Sequence, residues 1–320
     1  MWEVLETCKA VAEKSLLVSL DKPALNNCAH LLAKEHIAIP PWNTYYHFSG
    51  EKEEVVAYLL VLDSINFCFW PAPGNPKWEV EYQSEKLSGY FALAAALKKA
   101  LESGVPLTHA SYLAELSLSE FRKILGGKGN LQLLQSRVQN LNELGRVLLR
   151  AYNGKAYNLV EAAAQSALKL VRLVAGALSS FQDTAAYHGK KVLFYKRAQI
   201  LAADLYGALQ GNDWGSFHDI DLLTAFADYK LPQVLRHLGV LRYEKALAQK
   251  VDQHILLNAG SPEEVEIRAN TIWAVELIRQ KLLTRGKNLN AIEIDWILWN
   301  LGQHNDYRLK PYHRTLTIFY

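Results

Sequence analysis

The sequence predicts a mainly α-helical protein, a single helical domain over residues 1–320 with a small β-hairpin. Three observations predict it. Apolar residues recur at three- and four-residue steps along most of the chain, the stripe of amphipathic helices. Strand-like alternation is confined to short pieces. No Pro/Gly/Ser-rich stretch is long enough to force a domain boundary, and no repeat or low-complexity run breaks the pattern. Half of the residues are apolar and 21% are charged, an ordinary globular balance.

Val4, Leu5, Cys8, Val11, Ala12, Leu16 and Leu17 form the first stripe. Similar stripes predict helices over residues 23–34, 53–67, 88–101, 130–151, 159–178 and 192–209. The clearest start is Ser261-Pro262-Glu263-Glu264. Serine caps the first amides, proline suits the first helical position, and Glu264 completes a capping box. That helix should run through Ile272, Trp273, Val275 and Leu277 to about Leu283. Residues 78–82 alternate and, with the polar turn after them, make the hairpin; residues 315–320 also have β-forming composition. Residues 126–130, Gly-Gly-Lys-Gly-Asn, read as a flexible linker between helices and lack Walker-loop spacing.

The net charge of +3 is mild and Lys and Arg are dispersed, so no basic stripe argues for a polynucleotide partner. A local cluster can still hold a small anion. Cys8, Cys28 and Cys68 form no CxxC pair, which suits a reducing compartment and excludes an obvious zinc knuckle. Glu3 and Glu6 stand where an export signal carries basic residues, and the apolar runs 55–62 and 171–178 are too short to span a bilayer. An intracellular protein is expected.

GxSxG, HExxH and a strand-borne GxGxxG are all absent. Three aromatic and charged clusters remain, at residues 194–199, 226–239 and 295–300. Asp228 lies between two aromatics, just before a helix that Pro232 helps to start. Its plain reading is a helix cap or a salt bridge to Lys230 or Arg236. Asp295 and Trp299 share a helix face, as do Trp296 and Asn300, and tryptophans at that spacing commonly serve a core. Lys196 and Arg197 are, by default, solvated cations.

Residues 194–209 (FYKRAQILAADLYGAL), 226–239 (FADYKLPQVLRHLG) and 295–300 (DWILWN) resemble the queuosine salvage proteins, the queuosine 5′-phosphate N-glycosylase/hydrolases. Residues 61–70, 87–90, 264–268 and 312–320 extend the resemblance in the same order. It implies an architecture like that of helix-hairpin-helix DNA glycosylases, acting on a free nucleotide in the cytoplasm, with nuclear presence compatible. It implies queuosine 5′-monophosphate as substrate and queuine as product, with no cofactor, metal, membrane or polynucleotide partner. Carried over by motif, Asp228 is the nucleophile or transition-state stabiliser, Phe226 contacts the base, and Asp295 and Trp296 bind it. Family members often carry tyrosine where this chain has Trp296, and aspartate where it has Asn300. A base-contacting histidine falls on His47.

Such chemistry suits these residue types. Cleaving a bond from ribose to nitrogen develops oxocarbenium character, which a carboxylate stabilises or captures covalently. Queuine is a 7-deazapurine, so the ring nitrogen usually protonated in purine hydrolases is missing. Asp295 can accept from the ring's donor edge and Asn300 can both donate and accept. A 5′-phosphate needs a cation, for which Lys196 is the first choice and Arg197 the second. The rival expectations are a non-catalytic nucleotide- or tRNA-binding module and a helical scaffold. DNA base excision is disfavoured without concentrated positive charge.

Overall fold

Ser261 Oγ accepts the amide hydrogen of Glu264 and Pro262 occupies the first turn, so the helix Pro262–Leu283 starts where its sequence predicts. Glu264 does not complete the capping box. Its carboxylate accepts from the Gly260 amide at 3.1 Å and lies 3.3 Å from Arg268, which draws it away from the Ser261 amide. The computed structural model describes residues 2–34 and 37–320. Two units gather within it, each from three separate stretches of chain. One takes the chain up to Pro41 with Asp183–Gln199 and Asp219–Thr317, and the other takes Trp42–Gln182, Ile200–His218 and Ile318–Tyr320.

In the first unit, Pro262–Leu283 packs against helices Glu3–Ala12, Lys22–Leu32, Lys230–His237 and Ala291–Leu301. Every residue from Glu264 to Ile272 is buried. A helix covered on all faces must pair its charges internally. Glu266 does so by accepting from the Leu17 and Val18 amides, at 2.7 and 3.0 Å, and from the Tyr187 hydroxyl at 2.8 Å. It thereby fixes the start of strand Val18–Leu20, which pairs antiparallel with Leu241–Tyr243. The first helix ends at Ala12, and Leu16, expected on its stripe, is 82% exposed.

The stripe over 192–209 is only partly helical. Lys190–Leu193 is a strand paired with Thr184–Tyr187, and Tyr195 turns the chain at φ 47° before helix Lys196–Ala208 begins. His188 and Gly189, both at positive φ, make the hairpin turn.

In the second unit, helices Lys52–Ile65, Tyr90–Glu102 and Leu134–Ala151 carry much of the core. The predicted hairpin forms as Glu79–Tyr82 against Glu85–Ser88, so Ser88 closes a strand rather than opening a helix. The region 159–178 divides into Ala156–Glu161 and Ala167–Ala177, because Ala164 and Gln165 adopt positive φ; Ser166 then caps the second helix. Residues 126–130 are not a flexible linker. They bridge to Lys77 and Glu79, and a Cβ on Gly127 or Gly129 would strike the Glu79 or Lys77 carbonyl. The helix after them therefore starts at Leu134, not at residue 130. Residues 315–320 form no strand. Thr315, Thr317 and Tyr320 are buried, and the Tyr320 carbonyl accepts from the Cys68 amide.

Candidate functional site

The site is built around the turn that precedes helix Lys230–His237. The Asp228 amide donates back to the Phe226 carbonyl at 2.7 Å, a tight turn centred on Ala227. Asp228 Oδ1 then accepts the Lys230 and Leu231 amides at 2.7 and 2.8 Å. The cap expected of this carboxylate is present, and it occupies a single oxygen. Among the described residues Oδ2 has no protein donor, in a side chain only 8% exposed.

Helix Ala291–Leu301 brings a second carboxylate to the same turn. Its start is fixed by a full capping box between Asn290 and Glu293. One turn on, Asp295 Oδ2 accepts the Phe226 amide at 2.7 Å. Burial pushes the Asp295 carboxyl well above the usual carboxylate range, and the Asp228 charge adds to it. The Phe226 amide and the Lys196 cation oppose this rise. Asp295 is thus a buried carboxyl whose charged form is disfavoured, bonded directly to the turn that carries Asp228.

Lys196 and Arg197 are not solvated cations. They are 5% and 1% exposed, at the start of a helix whose first amide donates to Asp183 Oδ2 at 3.1 Å. Gln199, one turn further, exchanges hydrogen bonds with the buried Thr224 backbone and hydroxyl, tying that helix to the segment that leads into Phe226. Trp296 and Asn300 are half-buried, and the Asn300 amide donates to the Trp296 carbonyl at 2.8 Å.

His47 belongs to the second unit. Its Nδ1 lies 2.7 Å from the Asn43 carbonyl, which can only accept, so Nδ1 carries the hydrogen. Nε2 is left to accept from the Tyr90 hydroxyl at 2.8 Å. In the same unit an open depression of ≈ 570 Å³ is lined by Trp42, Phe48, Lys52 and Asp213 and contains none of the predicted residues. Among the described residues, no group of three His, Cys, Asp or Glu side chains suits a metal ion. No helix among them is long and apolar enough to cross a membrane.

Two residues that sequence reasoning missed, Asp183 and Arg268, complete the surroundings. Arg268 donates to both Asp183 oxygens, at 2.8 and 2.6 Å, and through Nε to the Ala227 carbonyl at 2.9 Å. The sequence signal for Arg268 is its place in the segment 264–268, at the start of a well-capped helix.

Residues 46–320 match the profile of a family described as queuosine salvage protein. The chain belongs to the queuosine salvage family. It is 49% identical over 317 residues to the queuosine 5′-phosphate N-glycosylase/hydrolase of Sphaerobacter thermophilus, covering 99% of this chain and 97% of that one. The protein of the same name from Mus musculus is 37% identical, with 98% of each chain covered. That of Schizosaccharomyces pombe is 34% identical over 77% of this chain and 74% of its own.

In this queuosine salvage protein two buried histidines set an acid limit to stability. Burial moves His47 down from the ordinary 6.5 to about 4. Burial, then the Arg268 charge, moves His313 to about 3. Both are neutral in the fold, whereas the unfolded chain protonates them below 6.5. The stability they contribute is full above 6.5 and is lost as pH falls toward those values. Urea midpoints should therefore drop between about pH 7 and about pH 5. His313→Gln should shallow that slope, and a flat profile in the unaltered protein would contradict the assignment.

Proposed function

We propose that the chain hydrolyses the N-glycosidic bond of queuosine 5′-monophosphate, releasing queuine for salvage into tRNA modification. The observation that carries this reading is the Asp228 carboxylate, with one oxygen fixed by two amides and the other without a protein donor among the described residues. It stands beside Asp295 in a chain whose relatives are named for that activity. The reacting bond joins the anomeric carbon to the base nitrogen. As it breaks, its electron pair leaves with the base, and water supplies a hydroxyl to the sugar and a proton to queuine.

Asp228 Oδ2 faces the cationic ribosyl carbon and stabilises or captures it. Holding Oδ1 on two amides fixes the direction of Oδ2 before substrate arrives, so little reorganisation accompanies reaction. Asp295 reads the donor edge of the base. Ring N–H donors favour its ionised form and counter the burial that raises its pKa. Phe226 and Trp296 supply apolar contact, and Asn300 meets the cyclopentenediol. Lys196, then Arg197, meets the 5′-phosphate. A phosphate takes charge-assisted hydrogen bonds from such cations.

The whole of 1–320 acts as one salvage domain in this reading, since the relatives match over nearly all of their own length. An architecture like that of helix-hairpin-helix DNA glycosylases is supported by the motif resemblance and the dominance of helices. A cytoplasmic setting, with nuclear presence compatible, is supported by three buried cysteines that form no disulfide. Dispersed charge favours a free nucleotide over a polynucleotide.

Asp228→Asn keeps an oxygen for the two amides but loses the charge. Queuine release from the monophosphate should fall by on the order of 100-fold or more, a loss of ~3 kcal/mol of transition-state stabilisation, with folding retained. Wild-type turnover by this variant would remove Asp228 from the mechanism.

Remote phosphate binding energy is used to position the ribose. Lys196→Ala should therefore slow the monophosphate reaction sharply and scarcely change the slow reaction of the nucleoside. Equal slowing of both would make the lysine structural.

For the base, Asp295→Ala should weaken queuine binding more than Phe226→Leu, because ring donors are buried without a partner while apolar contact partly survives. Calorimetric titration checks this, and unchanged affinity in Asp295→Ala would return that segment to a core role.

A further inference from the structure

We infer that Arg268 is a positioning residue for Asp228, acting through the Ala227 carbonyl. The inference rests on the catalytic role proposed for Asp228. Three groups of the Phe226–Asp228 turn are held from outside or across it. The Phe226 amide is held by Asp295, the Phe226 carbonyl by the Asp228 amide, and the Ala227 carbonyl by Arg268 Nε at 2.9 Å. Ala227 is the residue on which the turn bends, so the direction of its carbonyl sets the direction in which the next side chain leaves the backbone. Asp228 Oδ2 is aimed by that peptide plane.

The guanidinium is itself fixed on every side that the turn does not use. Asp183 grips it through two parallel bonds of 2.8 and 2.6 Å, Glu264 lies 3.3 Å from Nη1, and the Phe194 ring lies beneath it at 3.9 Å. Asp183 also accepts the Lys196 amide, and its carbonyl accepts the Phe194 and Tyr195 amides. One planar fork thus references the Asp228 turn to the start of the helix that carries Lys196. A lysine cannot reproduce this, because it is a point charge without the fork and without the Nε donor in its plane. The pair is 3% exposed on both sides, so it is dry and stiff rather than a surface ion pair.

The test uses the full chain with Arg268→Lys and with the double variant Arg268→Met/Asp183→Asn. The double variant removes both charges of the pair together, and Glu264 keeps the Gly260 amide as a donor, which keeps the fold within reach. The asparagine introduced by Asp183→Asn retains an oxygen for the Lys196 amide. A misplacement near 1 Å costs on the order of 100-fold in rate, so kcat for the monophosphate should fall by about that factor, with KM changed less than about threefold. Placed in an Asp228→Asn background, the same changes should lower the residual rate by less than about threefold, because a residue acting through Asp228 has nothing left to aim. Independently of substrate, hydrogen exchange at the Lys230 and Leu231 amides should quicken, while the Phe121 amide, bonded to Ser117 in the other unit, keeps its rate. Equal losses with and without Asp228, or unchanged exchange at Lys230 and Leu231, would overturn the inference. The exchange arm reads the turn without any turnover, so its failure is distinct from failure of the proposed reaction.

Discussion

A helix buried along nine consecutive residues, Glu264 to Ile272, cannot leave its charges to water, and the Arg268–Asp183 pair is where that constraint meets the chemistry. Breaking one side of such a pair leaves an uncompensated buried charge, typically a loss of about 3–5 kcal/mol. The pair therefore holds its geometry firmly. From it hang the Ala227 carbonyl, the first amide of the Lys196 helix and the kink at Tyr195. Glu266, two residues earlier on the same helix, performs the equivalent task for strand Val18–Leu20 and hairpin residue Tyr187. The central helix is thus a framework whose polar groups position loops, with apolar neighbours supplying the burial.

For Asp228, capping and the proposed catalysis are complementary. A carboxylate has two oxygens, and the helix uses one. The cap immobilises the group that the proposed reaction needs immobile, and stabilisation gained at a helix start offsets the cost of holding a carboxylate in a nearly dry place. Asp295 is in a different situation. It has one backbone donor, lies deeper, and sits beside a like charge, so its environment disfavours ionisation until donors arrive. The proposed reaction assigns these two neighbouring carboxylates to sugar and to base.

Much of this is legible in the sequence where the signal is local. Ser261-Pro262 announces its helix, residues 78–82 announce their hairpin, and Asp228 between aromatics before Pro232 announces a turn into a helix. The missed features are those decided at a distance. The burial of Lys196 and Arg197 depends on elements far along the chain, so neighbouring residues could only suggest solvated cations. Asp183 and Arg268 are 85 residues apart, and no spacing rule joins them. Val192 and Leu193 fit the stripe of the helix that follows, which hides the strand they belong to. The competing turn signal, His188-Gly189, is short and decides the matter. Gly127 and Gly129 look like flexibility in a sequence, yet their missing side chains let the backbone close against Lys77 and Glu79.

The proposed reaction requires a pre-aimed oxygen of residue 228 against the sugar carbon while Asp295 holds the base. The most direct measurement is a crystal structure of Asp228→Asn with queuosine 5′-monophosphate bound. The anomeric carbon should lie roughly 3–3.5 Å from a side-chain atom of residue 228, with the base edge on Asp295 and the turn at Ala227 unchanged. A nucleotide bound with its glycosidic bond far from residue 228, or with its base away from Asp295, would contradict it.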